Sequence, residues 1–160
     1  MAMLKKFSPG LFVLIIFSLF LPFIAVSCGG AKVISLTGVQ LATGTSVQKP
    51  DMFGNASKKS QKIDGEPLVI VIFIAGIAGL LLSFLKGKKT AIFPAVIGVI
   101  GVVLMFLLKS KMDHEAMIAG KGMIQINYEA GYWLALLLFF AAALLNGFIF
   151  FQKDNVDIST

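Results

Sequence analysis

The chain has 160 residues, is 58% hydrophobic and carries a formal charge of +6, with a mean hydropathy of +0.92. An apolar share above the roughly 45–50% of soluble domains puts it in the integral membrane class. All 14 basic residues are lysine, and the absence of arginine's planar, phosphate-matching fork argues against nucleic-acid binding.

The surplus lysine charge implies membrane orientation and attraction to anionic lipid instead. One cysteine, Cys28, leaves no intrachain disulfide and no paired-thiol chemistry. One histidine rules out bis-histidine haem within a single chain.

In chain order, Met1 to Gly10 is a short basic tail carrying Lys5 and Lys6. Residues 7–27 form the first apolar run, close to the ~20 residues that a bilayer span requires. Pro22 is expected to kink that helix or end its hydrogen-bond ladder near the far face. Basic tail, apolar run and small residues before Cys28 also describe a secretory or lipoprotein signal peptide. Ala25 stands where a lipobox has a leucine-like residue, so a retained span is preferred to lipidation of Cys28.

The stretch from Cys28 to Gly44 organises the remainder, since it alone outside the apolar runs combines a turn with a strong pattern. Cys28-Gly29-Gly30 leads into alternating residues that place Val33, Ser35, Thr37 and Val39 on one face and Ile34, Leu36 and Gln40 on the other. Rich in Val, Ile and Thr, residues 32–41 read as a strand. Residues 43–66 turn polar and read as a loop with little to bury. Asn55-Ala56-Ser57 matches a glycosylation sequon, a pattern common by chance.

Residues 67–85 form the second span, opened by Glu66 and Pro67. The inner connection, 86–90, is short enough to force an antiparallel hairpin into the third span, 91–108. A second outer loop, 109–131, contains an alternating stretch at 123–129 with Ile124, Ile126 and Tyr128 on one face. The fourth span, 132–151, starts with Tyr132 and Trp133 as an interfacial aromatic pair. Lysine density on the short segments places both termini in the cytoplasm and the loops 28–66 and 109–131 outside.

Both strand candidates therefore fall on the outer side, where they can satisfy each other's backbone groups. The expected fold is an all-α integral membrane protein, a four-helix bundle with a small extracytoplasmic β-cap built from 32–41 and 123–129. A long first outer loop, a tight inner hairpin and a shorter second outer loop with strand character give a layout similar to claudin-type tetraspan proteins. The Trp and paired-Cys signature of the claudin first loop is missing here, so the resemblance implies topology and not barrier function. The Cys28-Gly29-Gly30 turn leading to Leu41-Ala42-Thr43-Gly44 also resembles small bacterial four-span membrane proteins, a likeness that implies no activity.

No catalytic constellation emerges. Asp113-His114-Glu115 has metal-ligand types, but adjacent residues on a helix diverge, and a solvated continuation of span three explains them, with Lys111 pairing locally. The spans hold no acid or lysine that would mark an ion path. Asn146 is the one strongly polar residue deep in a span, suited either to an interhelical hydrogen bond at a subunit contact or to reaching the headgroups. Small residues at Ala75 and Gly79, Gly98 and Gly101, and Ala143 and Gly147 fit close helix packing.

The leading expectation is a non-catalytic accessory or assembly subunit of the cytoplasmic membrane, with no cofactor. It would contact lipid and a larger membrane-protein complex through its spans and its cap, by way of Val33, Ile34, Leu36, Val39, Ile124, Ile126, Tyr128 and Asn146. The alternatives are a small homo-oligomeric transporter or channel and a lipoprotein anchored at Cys28.

Overall fold

The computed structural model describes residues 2–28, 30–48, 60–84, 92–120 and 124–157. It is mostly helical, with one small three-stranded sheet and two long apolar helices. The first apolar run divides in two, giving helix α1 (Ala2–Ser18) and then strand β1 (Pro22–Cys28). Helical spacing tightens where Leu19, Phe20 and Leu21 donate to the carbonyls of Ile16, Phe17 and Ser18, as helix ends commonly do. Pro22 has no N–H to give and keeps Leu21 out of helical geometry. Phe23, Ile24 and Val26 then suit a pleated strand. The expected span of 7–27 is corrected accordingly: it is helical only as far as Ser18.

Strand β2 (Ala31–Thr37) turns back against β1 through Gly30, whose φ of 86° favours glycine. Strand β5 (Ile124–Tyr128) pairs antiparallel with the other edge of β1, so the sheet order is β2-β1-β5. The two strands expected to pair with each other are thus separated by a third, hidden at the end of an apolar run that suited a helix equally well.

β2 also ends earlier than expected. Thr37 caps helix α2 (Gly38–Thr43), accepting from the Gln40 N–H while the Gln40 side chain accepts from the Thr37 N–H. That reciprocal Thr-x-x-Gln arrangement is a capping box, and it moves Val39 from strand to helix. Strands β3 (Thr45–Gln48) and β4 (Ser60–Ile63) form a separate antiparallel pair within the expected loop 43–66. The sequon at residues 55–57 lies outside the described residues.

Helix α3 (Pro67–Ser83) is capped by Glu66 and opens on proline. Helix α4 (Ile92–Gly120) runs well past the expected limit of 108 and takes up much of the supposed loop 109–131. Helix α5 (Ala130–Asp157) follows β5 after a single residue. Within these helices, Ile92–Ile118 and Ala130–Phe151 are long and apolar enough to cross a membrane, and Phe7–Ser18 and Pro67–Ser83 are shorter apolar stretches.

The four long helices form a ring in which α1 packs on α3 and α5, and α4 packs on the same two. Phe12, Ile15, Ile72, Met105 and Phe139 fill its interior. The sheet is seated on one end of the ring. There the wholly buried Tyr132 meets the Phe23 ring edge-on at 5.6 Å and donates to the Met105 carbonyl at 3.0 Å.

Close approach of α4 to α5 requires glycine at one position in particular. A Cβ on Gly98 would stand 2.7 Å from the Ala143 nitrogen and 2.9 Å from its Cα, backbone atoms that cannot swing aside. Gly101 similarly receives the Phe139 ring and Gly79 the Phe12 ring, whereas a Cβ on Gly147 would meet nothing within 4 Å. Gly98→Ala should therefore destabilise the protein by about 1–3 kcal/mol through overpacking. Gly147→Ala should leave stability unchanged or raise it by up to about 1 kcal/mol, the helix-propensity difference. Thermal unfolding of both variants in one detergent checks the contrast.

Candidate interaction surface

Two groups of polar contacts tie the helices, one at each end of the ring. At the sheet end, Glu66 is 7% exposed, and both of its carboxylate oxygens accept from the Lys111 ammonium, at 2.7 and 2.9 Å. Its N–H donates to the Leu41 carbonyl, so one residue joins α2, α3 and α4. Burying that charge without a partner would be strongly unfavourable. Lys111 also reaches Glu115 at 3.6 Å, one turn on.

Beside this pair, Lys109 holds Asp113 at 2.7 Å and lies over the Tyr128 ring, 4.4 Å from its centre. The Tyr128 hydroxyl donates to Asp113 at 2.7 Å and lies 3.1 Å from the Lys109 carbonyl. Burial, and then the neighbouring Asp113 carboxylate, push the Tyr128 phenol well above its ordinary range, so it remains a donor. Lys32 on β2 pairs with Glu129, at the entrance to α5.

At the far end, Ser83 donates to Ser8 at 2.7 Å, and Ser8 donates to the Asn146 side-chain carbonyl at 2.8 Å. Asn146 donates in turn to the Ala142 carbonyl at 2.8 Å. The amide is 3% exposed. Neither surface role expected for Asn146 matches this position, because its hydrogen bonds are made inside the chain to α1 and to its own helix.

The residues singled out for interaction fall into distinct environments. Val33 is 44% exposed on β2, while Leu36 is buried. Ile34, Ile126 and Tyr128 pack partly against the core. Val39 lies half-buried on α2, its N–H donating to the Leu19 carbonyl. Ile124 and Cys28 are register partners at the ends of β5 and β1. Ile34, Leu36, Ile126 and Tyr128 thus face the bundle, and among the residues of the set whose side chains are described Val33 presents a large apolar side chain outward.

Sequence reasoning overlooked Met117 and Ile118, 71% and 68% exposed on the extension of α4 beyond Lys109, Lys111 and Asp113. The signal was available: Lys109 with Asp113 and Lys111 with Glu115 are i,i+4 pairs of a continuing helix, and an apolar Met-Ile step follows them. Asp113, His114 and Glu115 do lie on that helix, and among the described residues no group of three or more His, Cys, Asp or Glu side chains could hold a metal ion. Comparison with protein-family models, curated proteins and solved structures finds no match to this chain.

Tyr128→Phe should lower stability by about 1 kcal/mol, toward the small end for a bond to a charged acceptor because Asp113 is 43% exposed to competing water. The loss should largely vanish in an Asp113→Ala background, which removes the acceptor and completes a double-mutant cycle for the hydroxyl–carboxylate contact.

Proposed function

We propose that the chain is a four-span integral protein of the cytoplasmic membrane, with both termini cytoplasmic and the sheet extracytoplasmic. In this reading it acts as a non-catalytic accessory or assembly subunit for another membrane protein. The span assignment is supported by the outward faces of the ring, where Phe17, Ile74, Phe106, Leu137 and Phe140 are all more than half exposed. Helices apolar on every side suit lipid rather than water. Lysine density on the short segments supports the orientation, and the claudin-like layout belongs to the same proposal at the level of topology.

The observation that carries the subunit role is the apolar tip of α4. Met117 and Ile118 stand past a charged turn, where the surroundings are aqueous in this topology, and yet are among the most exposed apolar side chains described. Val33 adds a second outward apolar contact on β2, an edge strand of the sheet and so open to pairing by a partner. The lipoprotein alternative is disfavoured by the core itself. Cleavage before Cys28 would remove Phe12, Ile15, Leu19, Phe23 and Ile24 together with the central strand.

Native mass spectrometry of the full chain, gently extracted from its own membrane, should show a stoichiometric second polypeptide on an unmodified protein. The double variant Met117→Lys with Ile118→Lys should lose that partner while unfolding at an unchanged temperature. Retention of the partner by this variant and by Val33→Lys would exclude the cap as the binding element. A closed homo-oligomer without a second polypeptide would favour the transporter reading.

The topology has its own check. In a Cys28→Ser background, a cysteine introduced by His114→Cys should react with a membrane-impermeant maleimide in intact cells. Labelling only after permeabilisation would invert the orientation.

A further inference from the structure

Among the described residues, the four outward apolar faces are of similar and small height. On α1 and the turn after it, the described large exposed apolar side chains run from Phe7, directly after Lys6 in the sequence, to Leu21, and on α3 they run from Ile70 to Phe84, two positions before Lys86. On α4 the described run before Lys109 extends from Ile92, three positions after Lys89 in the sequence, to Leu107, and on α5 it extends from Trp133 to Phe151. At about 1.5 Å per helical residue these stretches measure roughly 21–27 Å, and any tilt shortens their projection further.

Both rims are set by polar chemistry. At the sheet end, β1 begins at Pro22, the Glu66–Lys111 pair sits at the start of α3, and Lys109 follows Leu108. At the far end, Lys6 immediately precedes Phe7 and Lys153 follows Phe151 by two positions. The ring cannot simply slide to gain height, since a shift in either direction draws charged groups into hydrocarbon.

Taking the four-span reading as its basis, we infer that this girdle fits a hydrocarbon layer of about 21–27 Å, thinner than the ~30 Å of a typical bilayer. Its preferred neighbours are short-chain phospholipids, and in a thicker membrane it gathers them or thins the bilayer around itself. The four helices reach this height independently, by different sequences and from different chain directions. A ring tied at one end through Glu66 and Lys111, and at the other through Ser8, Ser83 and Asn146, has little freedom to adapt by letting one helix lengthen past another.

Trp133, the only tryptophan, is 49% exposed at the sheet-end rim and reports on the adjoining lipid. The full-length protein is reconstituted in vesicles mixing a brominated phosphatidylcholine with unbrominated ones whose chains run from roughly 14 to roughly 22 carbons. Fluorescence recovery as each unbrominated lipid displaces the quencher gives its relative affinity for the protein surface. The expected result is a maximum at about 14–16 carbons, with affinity falling about threefold or more by about 20 carbons. A maximum at about 18 carbons or longer, or no dependence on length, overturns the thin-girdle inference and leaves the span assignment intact. Absence of quenching at every chain length overturns the span assignment as well, because the girdle then meets no lipid.

Discussion

The structure depends on strand β1 being bonded along both edges. A strand entered directly from an apolar helix must find partners for its backbone N–H and C=O groups, and a central position meets that demand fully. β2 supplies one edge from the adjoining sequence and β5 supplies the other from between the last two helices. Phe23, Ile24 and Ala25 are at most 3% exposed, so the same strand is also part of the hydrophobic core. Through β1 the start of the chain becomes the element against which its later parts are positioned.

Around that strand the polar groups act as ties at the two ends and leave the middle of the ring to close packing. Glu66 is held by Lys111 and Leu41, the Tyr128 hydroxyl by Asp113, and Asn146 by Ser8. Among the described residues, every buried side-chain nitrogen and oxygen has a partner. Between the ends, contact depends on shape: Gly98 against the Ala143 backbone, Gly101 beneath Phe139, and Gly79 beneath Phe12. Tyr132 links the two regimes, with its ring among core aromatics and its hydroxyl on a helix carbonyl.

Much of this was visible in the order of residues. The three later apolar runs, the start of α3 at Glu66-Pro67 and the strands at 31–37 and 124–128 follow from periodicity and capping chemistry. β1 was not visible, because a short apolar run carries no period that separates buried strand from helix. Only Pro22 marked the change. The end of β2 was encoded in Thr37-x-x-Gln40, but the alternation of Val39 and Leu41 continued the strand pattern across it. At the candidate surface, alternation assigned Ile34 and Leu36 to one face correctly, yet could not say that this face was the inward one. The environment of Asn146 depended on Ser8, 138 positions away, a proximity that no local pattern contains.

The placement of β1 has a consequence for how the protein is made. Its second partner lies about a hundred residues downstream, since Ile24 is in register with Tyr128, so one edge of the strand stays open while α3 and α4 are synthesised. Pairings of such large sequence separation are slow to close, and an open apolar edge invites strands from other chains. Assembly of the sheet is therefore among the last events of biogenesis, and a nascent chain stalled before β5 emerges presents its most aggregation-prone surface to the cell.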